Sequence, residues 1–194
     1  MSPSNVASSP SAVARPRETA ASARLERMVA EHLDGLWRFA RRLGVAEVDV
    51  DDVLQEVIMI TATRLDDVRR ESERAFLFAT TFRVASGFRR WLVGRREVGD
   101  DALDEVHDAA PDPESLADDR EARAALDRIL AEMPIDLRAV FVLYEIEEHS
   151  MIELAQELDI PQGTVASRLR RARAHFDAAV RRMRAKERFE EGGT

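Results

Sequence analysis

SMIELAQELDIPQGTVASRLRRARAHF, residues 150–176, is the stretch that decides how this chain folds. Ser150 and Glu153 have the spacing of a capping box, in which each side chain satisfies a backbone N–H at the start of a helix. Asp159-Ile160-Pro161 ends that helix, because the residue before a proline is disfavoured in the α conformation. A second helix begins near Gln162. Two helices joined by so short a turn are typical of a helix-turn-helix motif.

The two helices are expected to pack on each other through apolar side chains at helical spacing. The first would use Ile152, Ala155 and Leu158, and the second Val165, Leu169, Ala172 and Phe176. The opposite face of the second helix is small and polar at its leading end and rich in arginine beyond it. Such a helix suits a DNA major groove, where leading residues approach base edges and arginines meet phosphates. The alternative is a solvated, arginine-rich surface helix, but the capped helix and turn in front of it favour DNA binding.

The predicted duplex-binding residues therefore lie on this second helix. Those near its leading end, expected to approach bases, are Gln162, Thr164, Ser167 and Arg168. Those further along, expected to contact phosphates, are Arg170, Arg171 and Arg173.

The runs LRAVFVL (residues 137–143), IELA (152–155) and IPQGTVASRLRRAR (160–173) together resemble region 4 of bacterial sigma factors. The resemblance is to the small extracytoplasmic-function (ECF) group. Asp159 and His149 stand where the family more commonly has glycine.

Composition limits the class of protein. The chain has 194 residues, a formal net charge of −8 and no cysteine, so disulfides and thiolate metal sites are excluded. No apolar run approaches the roughly 18 residues of a membrane span, and the N-terminus lacks the apolar core of a secretory signal. A cytoplasmic bacterial protein without membrane insertion is expected.

Charge is segregated along the chain, with acidic residues 100–121 between two arginine-rich blocks. Helical periodicity without strand-like alternation predicts an all-α fold of two small helical domains on a flexible acidic linker. The expected divisions are a disordered tail (1–22), a domain similar to sigma region 2 (23–94), the linker (95–114), the region 4-like domain (115–184) and a C-terminal tail (185–194).

A helix over residues 49–65 carries an exposed face formed by Asp52, Gln55, Glu56 and Met59. The segment resembles the DLVQE signature of region 2, which implies binding to the clamp coiled coil of the largest polymerase subunit. For the neighbouring Asp51, a favourable interaction with the helix dipole is the simpler interpretation. A magnesium site, as in isoprenoid synthases, would need a second acidic motif that the sequence lacks.

A long helix over residues 74–93 is expected to bury Leu77, Thr80, Val84, Phe88 and Trp91. Its outward face would carry Phe78, Phe82, Arg83, Arg89 and Arg90. Aromatic side chains beside arginines suit single-stranded nucleic acid, and the resemblance implies capture of the melted −10 element. Packing of Phe78 and Phe82 on the first helix is the competing interpretation, and both remain open.

No catalytic constellation, metal-ligand spacing or phosphate loop is found in the sequence, so no catalytic residue, metal or cofactor is expected. The resemblance implies a non-enzymatic sigma factor, monomeric when free, with core RNA polymerase and promoter DNA as partners and an anti-sigma factor as a candidate regulator. The rivals are a stand-alone helix-turn-helix regulator and a helical metal-dependent enzyme. Co-purification with core polymerase distinguishes all three.

Overall fold

Helices form nearly all of the chain that the computed structural model describes, which is residues 14–97 and 116–191. Within these ranges there is no β-strand, as the sequence predicts. The helices are α1 (Ala14–Arg42), α2 (Glu47–Thr63), α3 (Glu73–Glu97), α4 (Leu116–Glu132), α5 (Ile135–Phe141), α6 (Met151–Glu157) and α7 (Gln162–Glu191). Two 3-10 turns (Leu65–Asp67 and Arg70–Ser72) connect α2 to α3, and a π-helical turn (Val142–Ile146) follows α5. The predicted linker lies almost wholly outside the described residues.

Helix α1 starts at Ala14, so the predicted disordered tail to residue 22 is wrong for residues 14–22. The tail was inferred from its Ser, Ala and Pro content. However, alanine is the best helix former, and Pro16 lies in the first turn, where its missing N–H has no helical partner to lose.

Gly44 ends α1, as predicted, and the geometry shows why a glycine is needed. Its φ is +93°, in the left-handed region. The N–H of Gly44 donates to the carbonyl of Arg41 (2.8 Å), and that of Val45 donates to the carbonyl of Ala40 (3.2 Å). These are the two hydrogen bonds of a Schellman motif, which satisfies the last carbonyls of a helix.

Helices α1, α2 and α3 pack into the first half of the molecule. Its buried side chains include Met28, Leu36, Phe39, Val53, Val57 and Leu77. Arg24 of α1 fixes the turns between α2 and α3, because its guanidinium donates to the carbonyls of Leu65 and Val68 and pairs with Glu73 at 2.8 Å.

Helices α4 to α7 form the second half. Met133-Pro134 separates α4 from α5, as the sequence predicts. Helix α7 continues to Glu191, so the tail predicted from residue 185 is wrong for residues 185–191. Alanine, arginine, lysine and glutamate in this segment all favour helix, and Arg188 donates to the carbonyl of Arg184 (3.2 Å).

The backbone conformation shows why glycine is favoured at one of the two positions noted above, that of Asp159. Asp159 has φ +52° and caps α6 with a second Schellman motif, in which Ile160 N–H donates to the Ala155 carbonyl (3.0 Å). At the other place the left-handed residue is Glu148 (φ +57°), not His149. The glycine-favouring position is therefore one residue before the one inferred from the sequence.

The two halves pack directly on each other, and α3 is the shared element: it contacts α1 and α2 on one side and α6 on the other. A single cluster of buried apolar side chains runs through both halves. The surface between them decides which predicted functional side chains are exposed.

Candidate nucleic-acid interface

The helix-turn-helix forms as the sequence predicts. Ser150 Oγ accepts from the backbone N–H of Glu153 (3.3 Å), and the Glu153 carboxylate accepts from the N–H of Ser150 (2.7 Å), which completes the capping box. The hydrogen bond from the Ser150 N–H to the Glu153 carboxylate is the main cause that lowers the pKa of Glu153 below its ordinary value. One detail is wrong: Ile152 is 59% exposed, and α6 instead buries Leu154 and Glu157, because it packs on α3 as well as on α7.

The apolar stripe of α7 is confirmed. Val165, Leu169 and Ala172 are buried, and the ring of Phe176 stacks on that of Phe141 at 5.0 Å between centroids. This packing against α5 and α6 fixes the rotation of α7 about its axis. The opposite face of α7 therefore points away from the body of the second half.

The leading end of α7 presents a polar surface. Gln162 and Gly163 are exposed, while Thr164 and Ser167 are half-buried. The hydroxyl of Ser167 donates to the carbonyl of Thr164 (2.9 Å), so it follows the helix backbone. Nothing lies within 4 Å of the position that a side chain at Gly163 would occupy, so this corner of the helix is open to an approaching ligand.

The predicted DNA-contacting arginines fall into two groups. Arg170 and Arg171 are exposed. Arg168 donates to the carboxylate of Asp136 at the start of α5 (3.2 Å), and Arg173 donates to Glu145 in the π-helical turn (2.6 Å). The hydrogen bond that Arg173 donates to Glu145 raises the pKa of Arg173 above its ordinary value. Acids of the same half thus orient Arg168 and Arg173.

The acidic face predicted on α2 is present. Asp52, Gln55 and Glu56 are exposed, and Met59 is 62% exposed. On the other side of the helix, Val53 and Val57 are buried against the core of the first half. The four side chains therefore form one continuous surface with an acidic start and an apolar end, available to a protein partner.

The outward face of α3 differs most from the prediction. Phe78 is only 3% exposed, so the prediction that it lies outward is wrong. Its ring packs on Phe39 of α1 at 5.5 Å and meets the imidazole of His149 edge-on at 5.0 Å. Phe82 is half-buried against the same core. Of the two interpretations left open, core packing holds for Phe78 in this arrangement.

Arg89 was also wrongly predicted to lie outward. It is half-buried and donates to the carbonyl of Leu43 at the end of α1 (3.1 Å). Burial lowers the pKa of its guanidinium. Arg83 and Arg90 do lie outward, and both are exposed. The basic surface of α3 is therefore narrower than the sequence suggests.

A second aromatic surface on α3 was not predicted from the sequence. Trp91, predicted to be buried, is 52% exposed, and its ring lies 5.8 Å from that of Phe88 at an interplanar angle of 34°. A groove of about 400 Å³ lies between α2 and α3. Its lining is Glu56, Ile60, Arg83, Val84, Gly87, Phe88 and Trp91. The helical period assigned Trp91 to the buried stripe, but this side chain instead lines the groove between α2 and α3.

Among the residues that the structure describes, no group of His, Asp and Glu side chains is arranged to hold a metal ion. Over the same residues, no helix is long and apolar enough to cross a membrane.

Comparison with known proteins points to one family. The family model for "Sigma-70, region 4" matches residues 123–176, which span most of α4 to the middle of α7. The ECF RNA polymerase sigma-E factor of Escherichia coli K12 is 34% identical over 148 residues, covering 68% of this chain and 74% of that protein. The ECF sigma factor SigE of Mycolicibacterium smegmatis is 28% identical over 152 residues. The match covers 76% of this chain but only 58% of SigE.

The likeness extends to three dimensions. The structure of CnrH in complex with the cytosolic domain of CnrY superposes with a TM-score of 0.62 at 26% identity. It covers 84% of this chain and 93% of CnrH, a sigma factor of Cupriavidus metallidurans. The similarity therefore includes both halves and not the helix-turn-helix alone.

Proposed function

Since this chain belongs to the ECF group of bacterial sigma factors, we propose that it binds core RNA polymerase and directs the enzyme to promoters. In this proposal α7 reads duplex DNA at the −35 element, and α3 takes part in capturing the melted −10 strand. The observation that carries it is the exposed leading end of α7, held in position by the capping box of α6 and by the buried stripe of α7.

Duplex recognition is assigned to the exposed side of α7. Gln162 and Thr164 lie at its first turn, where side chains reach base edges in a major groove. Arg170 and Arg171 lie further along and are suited to phosphates. Asp136 orients Arg168, and an arginine held in one geometry loses less conformational entropy when it binds a base.

Polymerase binding is assigned to the face of α2 formed by Asp52, Gln55, Glu56 and Met59. Exposed carboxylates one helical turn apart suit arginines on a partner helix. Met59 adds an adaptable apolar contact. A stand-alone regulator has no use for this face, and no comparison favours that alternative.

Strand capture is assigned to Arg83, Arg90 and Phe82 of α3, together with the groove beside Phe88 and Trp91. Base stacking on aromatic side chains is worth about 1–3 kcal/mol per base and tolerates any sequence. Arg83 borders this groove and supplies the positive charge that a strand backbone needs.

We also propose an anti-sigma factor as a partner, because the sigma factor RpoE of Bartonella quintana, which has a similar fold, was solved in complex with the anti-sigma factor NepR. The free protein is then a cytoplasmic monomer that contributes specificity to polymerase and catalyses no reaction of its own.

Run-off transcription with core polymerase and genomic fragments tests the proposal, since a sigma factor is required for specific initiation. The paired variant Asp52→Arg with Glu56→Arg should abolish core binding while far-UV circular dichroism stays unchanged. Truncating one member of a buried interfacial charge pair costs about 2–5 kcal/mol, and reversal adds repulsion. The matched control, Glu26→Arg with Glu31→Arg on exposed positions of α1, changes net charge equally and should bind core normally. Retained core affinity in the α2 variant would contradict the assignment of this face.

A further inference from the structure

A cavity of about 370 Å³ lies where the end of α1 meets α4 and α5. None of the side chains assigned above to polymerase, to duplex DNA or to the melted strand lines it. Its volume is at the small end of the range for sites that bind small molecules. The cavity therefore suits a compact ligand, and the functions proposed above do not account for it.

Arginine dominates the charged part of the cavity wall. Among the residues that the structure describes, one acid, Asp127, lines the cavity together with five arginines: Arg38, Arg41, Arg42, Arg123 and Arg138. In a chain with a formal net charge of −8, this cluster is a local exception. Positive charges along a concave wall concentrate their field inside it and attract anions.

Three of these arginines are held in place by acceptors of the protein. The carboxylate of Glu147 accepts from Arg38 (3.0 Å) and from Arg42, and Arg41 donates to the carbonyl of Val45 (2.8 Å). Because a guanidinium has five N–H donors, these bonds orient the three side chains and still leave donors for a ligand.

The other two arginines carry charge that the protein compensates poorly. Arg123 is exposed, and it makes no ion pair within the described part of the chain. Arg138 is 2% exposed, and its Nε donates to no acceptor among the described residues. Burial, and then the charge of Arg89, lower the pKa of Arg138 to about 10, and the carboxylate of Asp127 opposes this shift only in part. A buried donor without an acceptor costs free energy, so an anion bound in the cavity would stabilise this side chain.

The rest of the wall is apolar and suits a flat ring. Trp37 contributes an indole, and the guanidinium of Arg41 lies over it at 5.9 Å. Leu126 and Leu130 add aliphatic groups. Aromatic side chains pack well against other flat rings, and nucleobases of any kind stack on them. An inorganic anion would use none of this apolar wall.

We propose that the cavity binds a nucleoside phosphate, with its phosphate groups toward Arg123 and Arg138 and its base toward Trp37. Several guanidinium groups suit the multiple oxygens and the charge of a phosphate better than they suit a single carboxylate. The site lies apart from the surfaces assigned to polymerase and DNA, so this proposal does not depend on the proposed function.

Isothermal titration calorimetry of the full-length protein tests the site with three probes. ADP carries both a base and phosphates, pyrophosphate lacks the nucleoside, and adenosine lacks the phosphates. In buffer without divalent cations, which would compete with the arginines, ADP should bind at least about tenfold more tightly than either fragment, because it alone uses both parts of the wall. Pyrophosphate that binds as tightly as ADP would overturn the assignment of a nucleoside, and undetectable binding of ADP would overturn the site.

Two variants on α4 make the calorimetry specific. Arg123→Glu should weaken ADP binding at least about tenfold, because it replaces a donor to phosphate with a repelling charge. Arg128→Glu makes the same charge change at an exposed residue of the same helix that does not line the cavity, and it should bind ADP as the wild type does. Unchanged far-UV circular dichroism checks that both variants fold. Equal affinities of the two variants for ADP would overturn the proposal.

Tryptophan fluorescence then locates the bound nucleotide. The chain has two tryptophans, so Trp37 alone emits in a Trp91→Phe protein, and Trp91 alone emits in a Trp37→Phe protein. ADP should quench the emission of Trp37 with the affinity that calorimetry gives, and should leave that of Trp91 unchanged. Unchanged emission of Trp37 would overturn the proposal, and a change at Trp91 instead would place the nucleotide in the groove between α2 and α3.

Discussion

Substituting Gly44 by alanine tests the contact between the end of α1 and Arg138 of the second half, where a Cβ would have very little space. Gly44 has φ +93°, and a Cβ built there lies 2.7 Å from Nη1 of Arg138 and 3.5 Å from Cζ of Arg89. The guanidinium of Arg138 is held in place, because Arg138 is buried and is also bonded to the carbonyl of Met133 (3.3 Å). The substitution therefore affects both the backbone of α1 and the contact between the halves.

The magnitude follows from two contributions. A non-glycine residue in the left-handed region costs about 1–2 kcal/mol. Displacing the Arg138 guanidinium weakens its bond to the carbonyl of Leu43, and hydrogen bonds to charged groups are worth about 1.5–3 kcal/mol. That loss is only partial, since Arg89 still donates to the same carbonyl. Gly44→Ala should lower the free energy of unfolding by about 2–4 kcal/mol.

Urea denaturation followed by circular dichroism measures this difference, with Gly87→Ala as the control. A Cβ at Gly87, in the middle of α3, meets nothing within 4 Å. Alanine there should instead stabilise by about 0.5–1 kcal/mol, because glycine is a poor helix former. In an Arg138→Met background the steric contribution disappears, so Gly44→Ala should cost only about 1–2 kcal/mol. A cost below about 0.5 kcal/mol in the wild-type background, within the usual range for surface substitutions, would refute the reasoning.

Three further predictions concern single side chains. In duplex-binding titrations, Arg168→Ala should relax base discrimination by about 1–3 kcal/mol at one −35 position. Arg171→Ala should instead weaken binding to all duplexes alike and reduce the salt dependence of binding by roughly one counterion. Identical specificity profiles for the two variants would contradict this assignment. Glu153→Ala should lower the free energy of unfolding by about 0.5–2 kcal/mol at neutral pH. Because the pKa of Glu153 is lowered in the folded protein, this difference in free energy between variant and wild type should be complete above about pH 4.5 and should vanish as the pH falls through the lowered pKa. A difference that does not depend on pH would disprove the capping role. Arg83→Ala should leave duplex binding intact but reduce permanganate reactivity of the promoter bubble, and normal opening would remove Arg83 from strand capture.

Features set by local sequence were predictable. The capping box of Ser150 and Glu153, the stop at Gly44 and the break at Met133-Pro134 each depend on a few neighbouring residues, and all three are present. The stripe of α7 was also predictable, because α7 buries a single face that one helical period describes.

The buried side chains of helix α3 could not be predicted from a single helical period. It packs on α1, α2 and α6, and a period of 3.6 residues assigns only one buried face. Phe78 and Arg89 were therefore assigned to solvent although α1 and the second half bury them, while Trp91 was assigned to the core although it is exposed. The pairing of His149 with Glu157 was equally invisible, because its burial requires α3 from a distant part of the chain.

The arrangement of the two halves treats the predicted surfaces unequally. The α2 face formed by Asp52, Gln55, Glu56 and Met59 is exposed, as are Gln162, Arg170 and Arg171 on α7. On α3, Arg83 and Arg90 are exposed, whereas Phe78 is buried between α1 and the second half. Polymerase and duplex DNA can therefore engage α2 and α7 in this arrangement, and the side chains of Arg83 and Arg90 are accessible to a strand at the same time.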